Sequence, residues 1–220
     1  MKKDEPIFIL SRYNEDVSWV KDYTDDYIVY NKGEKLPADI KSLPMENIGG
    51  NQRDIFYFIY NNYENLPDAM LFVQAFPFDH CNKEKFEKIM YNKFFTPLES
   101  YEHIEENGYQ KKDTSGGFME RNNSWYIAAH NRTYKQSCRY DSFDQFMNSI
   151  FKNYKHLDWI RFAPGSQYII EKRQALFYSK KFWSYLMDVI NKKNTTEAHI
   201  IERSLMEIFK CYLEPIDELK

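Results

Sequence analysis

The chain has little glycine, no long apolar run and almost no net charge, and each shortage removes a class of protein. Only 7 of its 220 residues are glycine, while 18 tyrosines, 17 phenylalanines and 4 tryptophans supply bulk for a packed interior. That balance argues against disorder and suits an enzyme or binding domain. The formal net charge is -3 with acids and bases interspersed, so no global field favours nucleic acid as a partner. No segment approaches the roughly 18 consecutive apolar residues of a membrane span. The start, Met-Lys-Lys-Asp-Glu-Pro, lacks the apolar stretch of a secretory signal. A soluble, intracellular, cytoplasmic protein without a transmembrane segment is expected. Cys81, Cys138 and Cys211 are odd in number, far apart and without metal-ligand spacing, which fits a reducing compartment.

Familiar catalytic signatures are missing as well. The Asn47-Ile48-Gly49-Gly50-Asn51-Gln52-Arg53 segment is neither a P-loop nor a dinucleotide fingerprint, since no Gly-Lys-Ser/Thr and no GxGxxG occurs. No Gly-x-Ser-x-Gly elbow exists, which disfavours a serine hydrolase. His199 has Thr195 and Arg203 four residues away rather than a second histidine, so it is no HExxH zinc site. His103, His130 and His156 lack partners at ligand spacing and read as non-catalytic.

What is present is a repeated pattern of short apolar runs that end in polar residues. Pro6-Ile7-Phe8-Ile9-Leu10 reads as a first strand ending at Ser11 to Asp16, and Tyr27-Ile28-Val29-Tyr30 as a second ending at Asn31-Lys32-Gly33. Ile55, Phe56, Ile59, Tyr60 and Tyr63 follow a helical period after the glycine pair. The run Ala69 to Phe76 then has the apolar density of a strand buried on both faces, and Pro77 forbids its continuation. Three strands releasing polar residues in turn predict an α/β fold whose site lies outside the carboxyl ends of its strands. At 220 residues, one domain over 1–220 is expected.

The second half is less regular. Ser115-Gly116-Gly117 reads as a loop, Trp125 to Ala129 as a strand followed by His130, Asn131 and Arg132, and Ser142 as the cap of a helix with Gln145 in its capping box. Ile160 to Ile170 reads as two extended pieces around Pro164-Gly165. From Lys172 the pattern is helical, with a break at Asn191 to Thr195 and a restart capped by Thr195 or Thr196.

Each candidate for chemistry has a plainer structural reading beside it. Asp79 and His80 fall just beyond a strand end, yet Asp79 equally suits a cap for the helix starting near Asn82. Arg12 and Asn14 suit a base or phosphate and Asp16 a ribose hydroxyl, whereas Asn14 or Asp16 equally caps the short helix containing Trp19 and Val20. Adjacent glycines before a helix expose amides to a phosphate with Arg53 nearby, or simply form a tight turn. Glu197 and Glu202 are candidate bases or ordinary residues near a helix start.

Read in order, Ile9 to Asp16, Tyr30-Asn31-Lys32-Gly33, Asn47-Ile48-Gly49, Asn62 to Asp68, Phe72-Val73-Gln74, Gly165-Ser166-Gln167-Tyr168 and His199-Ile200-Ile201-Glu202-Arg203 form a series. This series resembles a small family of GT-A-type glycosyltransferase-like proteins related to chlorovirus domains that glycosylate capsid protein. The resemblance implies a single GT-A-like fold with a central mixed, mostly parallel sheet flanked by helices. It implies a metal-dependent glycosyltransferase that moves sugar from a nucleotide-diphosphate donor, of the uridine diphosphate type, to a glycan or glycoprotein. For a viral chain the compartment implied is the host cytoplasm. Ser11, Arg12, Tyr13, Asn14, Asn47, Gly49, Arg53, Gln74, Gly165, Ser166 and Gln167 would then border the donor, and Glu197 and Glu202 the reacting side. Manganese or magnesium would bridge the phosphates. The usual Asp-x-Asp is Pro77-Phe78-Asp79 here, which leaves Asp79 as the protein ligand. The missing first aspartate and the many surface-capable tyrosines leave a non-catalytic carbohydrate- or partner-binding module as an alternative, and a nucleotide-sugar hydrolase stands as a third possibility.

Overall fold

The computed structural model describes residues 5–99, 109–112, 118–120, 126–127, 139–140, 143–157, 159–193 and 196–220. The readings at Ser115 to Gly117, His103, His130 to Arg132, Cys138, Ser142 and Thr195 lie outside the described residues.

Strands β1 (Ile7–Arg12), β2 (Tyr27–Asn31), β3 (Ser42–Pro44) and β4 (Ala69–Gln74) are joined by parallel pairings. A fifth strand, β5 (Thr96–Pro97), and a later one, β10 (Tyr168–Glu171), complete a six-stranded sheet of order β3-β2-β1-β4-β10-β5, with β10 antiparallel to both neighbours. The sheet is mixed and mostly parallel, as expected. A second, four-stranded sheet contains β6 (Tyr109–Lys112), β7 (Phe118–Glu120), β8 (Tyr126–Ile127) and β9 (Trp159–Arg161) in the order β8-β7-β6-β9. The two extended pieces flanking Pro164-Gly165 therefore belong to different sheets, which their sequence did not indicate.

The continuous apolar runs have a direct cause in the sheet's two covered faces. Phe8, Leu10, Val29, Leu71, Val73 and Ile169 point into one apolar cluster, while Ile9, Tyr30, Met70, Phe72, Tyr168 and Ile170 point into the other. Alternate residues face opposite sides of a strand, so both sets must be apolar. Each fully buried aliphatic or aromatic side chain contributes roughly 1.5–3 kcal/mol.

The larger cluster is roofed by α1 (Gly50–Asn61), α3 (Phe143–Ile150), α5 (Lys180–Val189) and α6 (Thr196–Phe209). The smaller is closed by the short α2 (Lys83–Ile89) and a 3-10 turn at Ser18–Asp22. A four-residue helix, α4 (Lys172–Ala175), follows β10. Helix α6 packs against α1, β9 and the turn Pro164–Ser166. No helix among the described residues is long and apolar enough to cross a membrane.

The chain order of the strands locates the site. From β1 the chain moves outward through β2 to β3, then returns to place β4 on the opposite side of β1. The direction of winding reverses between β1 and β4, and loops leaving such a switch point diverge and open a crevice.

Candidate functional site

A two-lobed cleft opens at the β1/β4 switch point. Each lobe encloses about 260 Å³, and the two share Asn47, Gly50, Asn51 and Gln74 on their common wall. The first lobe is lined further by Ser11, Arg12, Tyr13, Glu15, Lys32, Phe76 and Asp79. The second is lined by Gly49, Gln52, Gly165, Ala198, His199 and Glu202.

Register sets the shared wall. Ser11 stands directly opposite Gln74 in the β1/β4 pairing, and Ala75 N–H donates to Ser11 O at 2.8 Å. Trp19 Nε1 donates to Ala75 O at 2.8 Å and fixes the point where β4 ends. Beyond it, Pro77–Asp79 forms one 3-10 turn. Helix α2 is capped by Asn82, whose Oδ1 accepts from Lys85 N at 2.9 Å. The cap reading of Asp79 is thereby corrected: a residue of the right type lies immediately before the helix, and Asp79 stays on the rim of the first lobe with its side chain exposed.

The loops after β1 and β2 are tied together by Arg12. Its Nε donates to Glu15 O at 2.7 Å, and its Nη1 to Asn31 Oδ1 at 2.6 Å, Glu34 O at 2.9 Å and Tyr13 O at 3.1 Å. The approach requires Gly33, since a Cβ there would stand 1.6 Å from Tyr13 O. Asn14 Oδ1 accepts from Glu34 N at 2.8 Å, holding the same loops from outside the cleft. Both Asp16 oxygens accept from Ser18, one from its N–H and one from its hydroxyl. Of the two readings for Asp16, its contacts are those of the turn it introduces.

Beneath the first lobe lies a buried ion pair that the strand-end pattern did not reveal. Lys32 Nζ is 2.7 Å from Asp54 Oδ2, with side chains only 5% and 3% exposed. The ammonium also donates to Gly50 O at 2.8 Å and Ser11 Oγ at 3.1 Å, while Ser11 donates a short hydrogen bond to Asp54. Burial pushes the Asp54 carboxyl upward, and Lys32, Ser11 and Arg53 oppose the shift. A signal for Asp54 existed, because it lies one helical turn before buried Phe58 and hence on the inward face. Two exposed aromatic rings, Tyr13 and Phe76, line the same lobe.

The second lobe is built differently. Gly165 has a φ of +72°, and a Cβ there would lie 2.8 Å from His80 Cδ2 and 2.9 Å from the Gln74 amide, so only glycine lets this turn close on β4. Asn51 Nδ2 donates to Gly165 O at 3.3 Å, and Gly165 N–H to Glu202 Oε1 at 2.8 Å. Glu202 Oε2 accepts from Arg203 Nη1 at 2.6 Å, so both carboxylate oxygens are oriented. Burial, assisted by Arg203 and opposed by Glu202, lowers His199 to about 4 and keeps its imidazole neutral.

Several expected site residues support the cleft without lining either lobe. Gln167 is fully buried, donates from Nε2 to Pro77 O at 3.1 Å and accepts from Gln74 N at 3.3 Å. Ser166 is buried with a φ of +57°, its Oγ without a partner among the described residues. Arg53 packs against Gly49, and its buried Nε has no partner among the described residues. Glu197 is buried and accepts from Arg139 N at 2.7 Å. Ser11, Arg12, Tyr13, Asn47, Gly49, Gln74, Asp79, Gly165 and Glu202 do converge on the two lobes.

Among the described residues neither cysteine is primed as a thiolate: burial pushes both Cys81 and Cys211 up to about 11. No group of three or more His, Cys, Asp or Glu able to hold a metal occurs among the described residues.

These features define an α/β protein with a polar cleft at its switch point. The chain belongs to the family described as "Protein of unknown function (DUF3431)", whose model matches residues 7–214. No curated protein and no solved structure matches the chain.

Proposed function

We propose that the chain is a GT-A-like glycosyltransferase that takes a nucleotide-diphosphate sugar across the two lobes and transfers the sugar to a glycan or glycoprotein acceptor. The observation that carries this reading is the contiguity of two unlike lobes at one switch point, with Asp79 on the rim of one and Glu202 on the wall of the other. The nucleoside lies in the first lobe, where Tyr13 and Phe76 offer rings for a flat base. The sugar extends past Gln74 into the second lobe, where Asn47, Gln52 and His199 provide neutral polar groups for hydroxyls. Glu202 accepts the proton of the acceptor hydroxyl. Its two existing bonds hold the carboxylate in place, and each oxygen retains a further lone pair.

The donor set fits a divalent ion that arrives with its substrate. Asp79 and Glu15 are hard oxygen donors in the first lobe, and magnesium-type ions bind through one or two carboxylates plus phosphates and water. When bound, manganese or magnesium offsets the charge that builds on the departing diphosphate.

Calorimetric titration with uridine, guanosine and cytidine diphosphates, with and without manganese, tests the assignment. Binding of one nucleotide strengthened by the metal is expected; binding of none ends the proposal. Asp79→Ala should remove the metal dependence, weakening metal-assisted affinity about 10–100-fold, while thermal stability changes by less than about 0.5 kcal/mol. Glycan binding without any nucleotide effect would instead support a non-catalytic module.

A further inference from the structure

The Lys32–Asp54 pair lies under the first lobe, and its geometry is incomplete in one respect. Asp54 Oδ2 accepts from both Lys32 and Ser11, but Asp54 Oδ1 is buried without a hydrogen-bond partner among the described residues. A buried carboxylate with one bare oxygen depends on its counter-ion to remain charged, and removing one partner of such a pair is strongly unfavourable. Lys32 is also the lysine among the residues that line the first lobe, so an anion entering there competes with Asp54 for the same ammonium.

We propose that the first lobe is a proton-linked anion receptor: a phosphoryl oxygen takes over the Lys32 ammonium, and Asp54, deprived of its counter-ion, takes up one proton from solvent. This rests on the nucleotide reading above and adds the residue that meets the phosphate and the proton that accompanies it. The balance is simple. The lysine stays protonated, its hydrogen bond moves from carboxylate to phosphate, and the carboxylate becomes a neutral acid protonated on Oδ2, where Ser11 Oγ lies within reach to accept the new O–H. Burial already disfavours the charged form of Asp54, so loss of Lys32 acts in the direction the site favours. The groups around Asp54 are Tyr30 from β2, Lys32 immediately after it, Ser11 from β1 and Arg53 on its own helix. Helix α6 brings His199 and Glu202 to the adjoining lobe.

The test is calorimetry on the full chain, using uridine diphosphate, uridine, and sulfate as an anion of constant charge near neutral pH, each in two buffers of different ionisation enthalpy. Uptake approaching one proton per bound diphosphate or sulfate is expected, with affinity for sulfate rising up to about tenfold per pH unit as pH falls. Uridine alone should bind with no proton uptake. Asp54→Asn should abolish the uptake, and Lys32→Gln should abolish sulfate binding. The wild-type buffer comparison needs neither variant to fold. Uridine diphosphate binding without proton uptake would overturn the receptor while leaving the nucleotide reading intact. Sulfate binding with proton uptake but no nucleotide preference would support the receptor and remove the nucleotide reading. No binding of either anion would overturn both.

Discussion

The two lobes of the cleft share a wall but differ in how their polar groups are held. In the first, an ion pair is buried beneath the lobe, where Lys32 faces Asp54, and exposed Tyr13, Phe76 and Asp79 line the lobe itself. In the second, the polar groups are mostly neutral amides and an uncharged imidazole, and the one carboxylate, Glu202, is locked by Gly165 and Arg203. A lobe with stored opposite charges suits an ionic ligand that can replace one of them. A lobe of fixed neutral donors and acceptors suits hydroxyls, which reward orientation rather than charge.

The largest effect that would break this comparison is on transfer. If the proposed transferase reading holds, Glu202→Gln should lower the turnover number about 10²–10⁴-fold, the usual worth of a general base, while nucleotide affinity, which that reading assigns to the other lobe, changes less than about threefold. Equal losses in both would mean that the lobes do not divide the labour.

A smaller effect concerns acid. His199 is held below its unfolded value of about 6.5, at about 4, by burial first and Arg203 second. The unfolded chain therefore binds more protons between those values, so its contribution to stability is present above pH about 6.5 and is lost as pH falls toward 4. Urea midpoints between pH 7 and 4 should show a decline of about 2–3 kcal/mol that His199→Gln reduces. An identical decline in the variant would place the acid-sensitive burial elsewhere. The lobes then respond to acid in opposite senses, anion binding strengthening in the first while the second loses its support.

The smallest is Asn82→Ala, which removes the α2 cap and should cost about 1 kcal/mol without altering the metal dependence of nucleotide binding. A change in metal dependence would show that Asp79 takes its position from the helix behind it rather than from the Pro77 turn.

Legibility in the sequence followed burial. β1, β2 and β4 were readable because both faces of each strand are covered and their apolar residues run without interruption. β3 was not, since all three of its residues, Ser42, Leu43 and Pro44, are exposed; β5 has only two residues, and neither offers a pattern to find. The strand ends pointed to Ser11, Arg12 and Asp79, but Arg12 proved to bind the loops to one another, because its donors meet backbone carbonyls that come together only when β1 and β2 pair. Ser166 and Gln167 adjoin Gly165 in sequence but support the cleft from behind, since the left-handed turn directs consecutive residues to different sides.

By itself the sequence determined the mostly parallel core and its polar strand ends, since these depend on local patterning; the need for glycine at Gly33 and Gly165 came from tertiary contacts, with Tyr13 O for the one and with His80 and Gln74 for the other. Only the tertiary structure decided that Asn82 and not Asp79 caps α2, that β9 and β10 enter different sheets, and that Lys32 meets Asp54 under the cleft. The reason is physical. Hydrophobic periodicity is written along the chain, whereas a buried charge finds its partner across 22 residues through the pairing of β1 with β2 and the packing of α1 on the sheet.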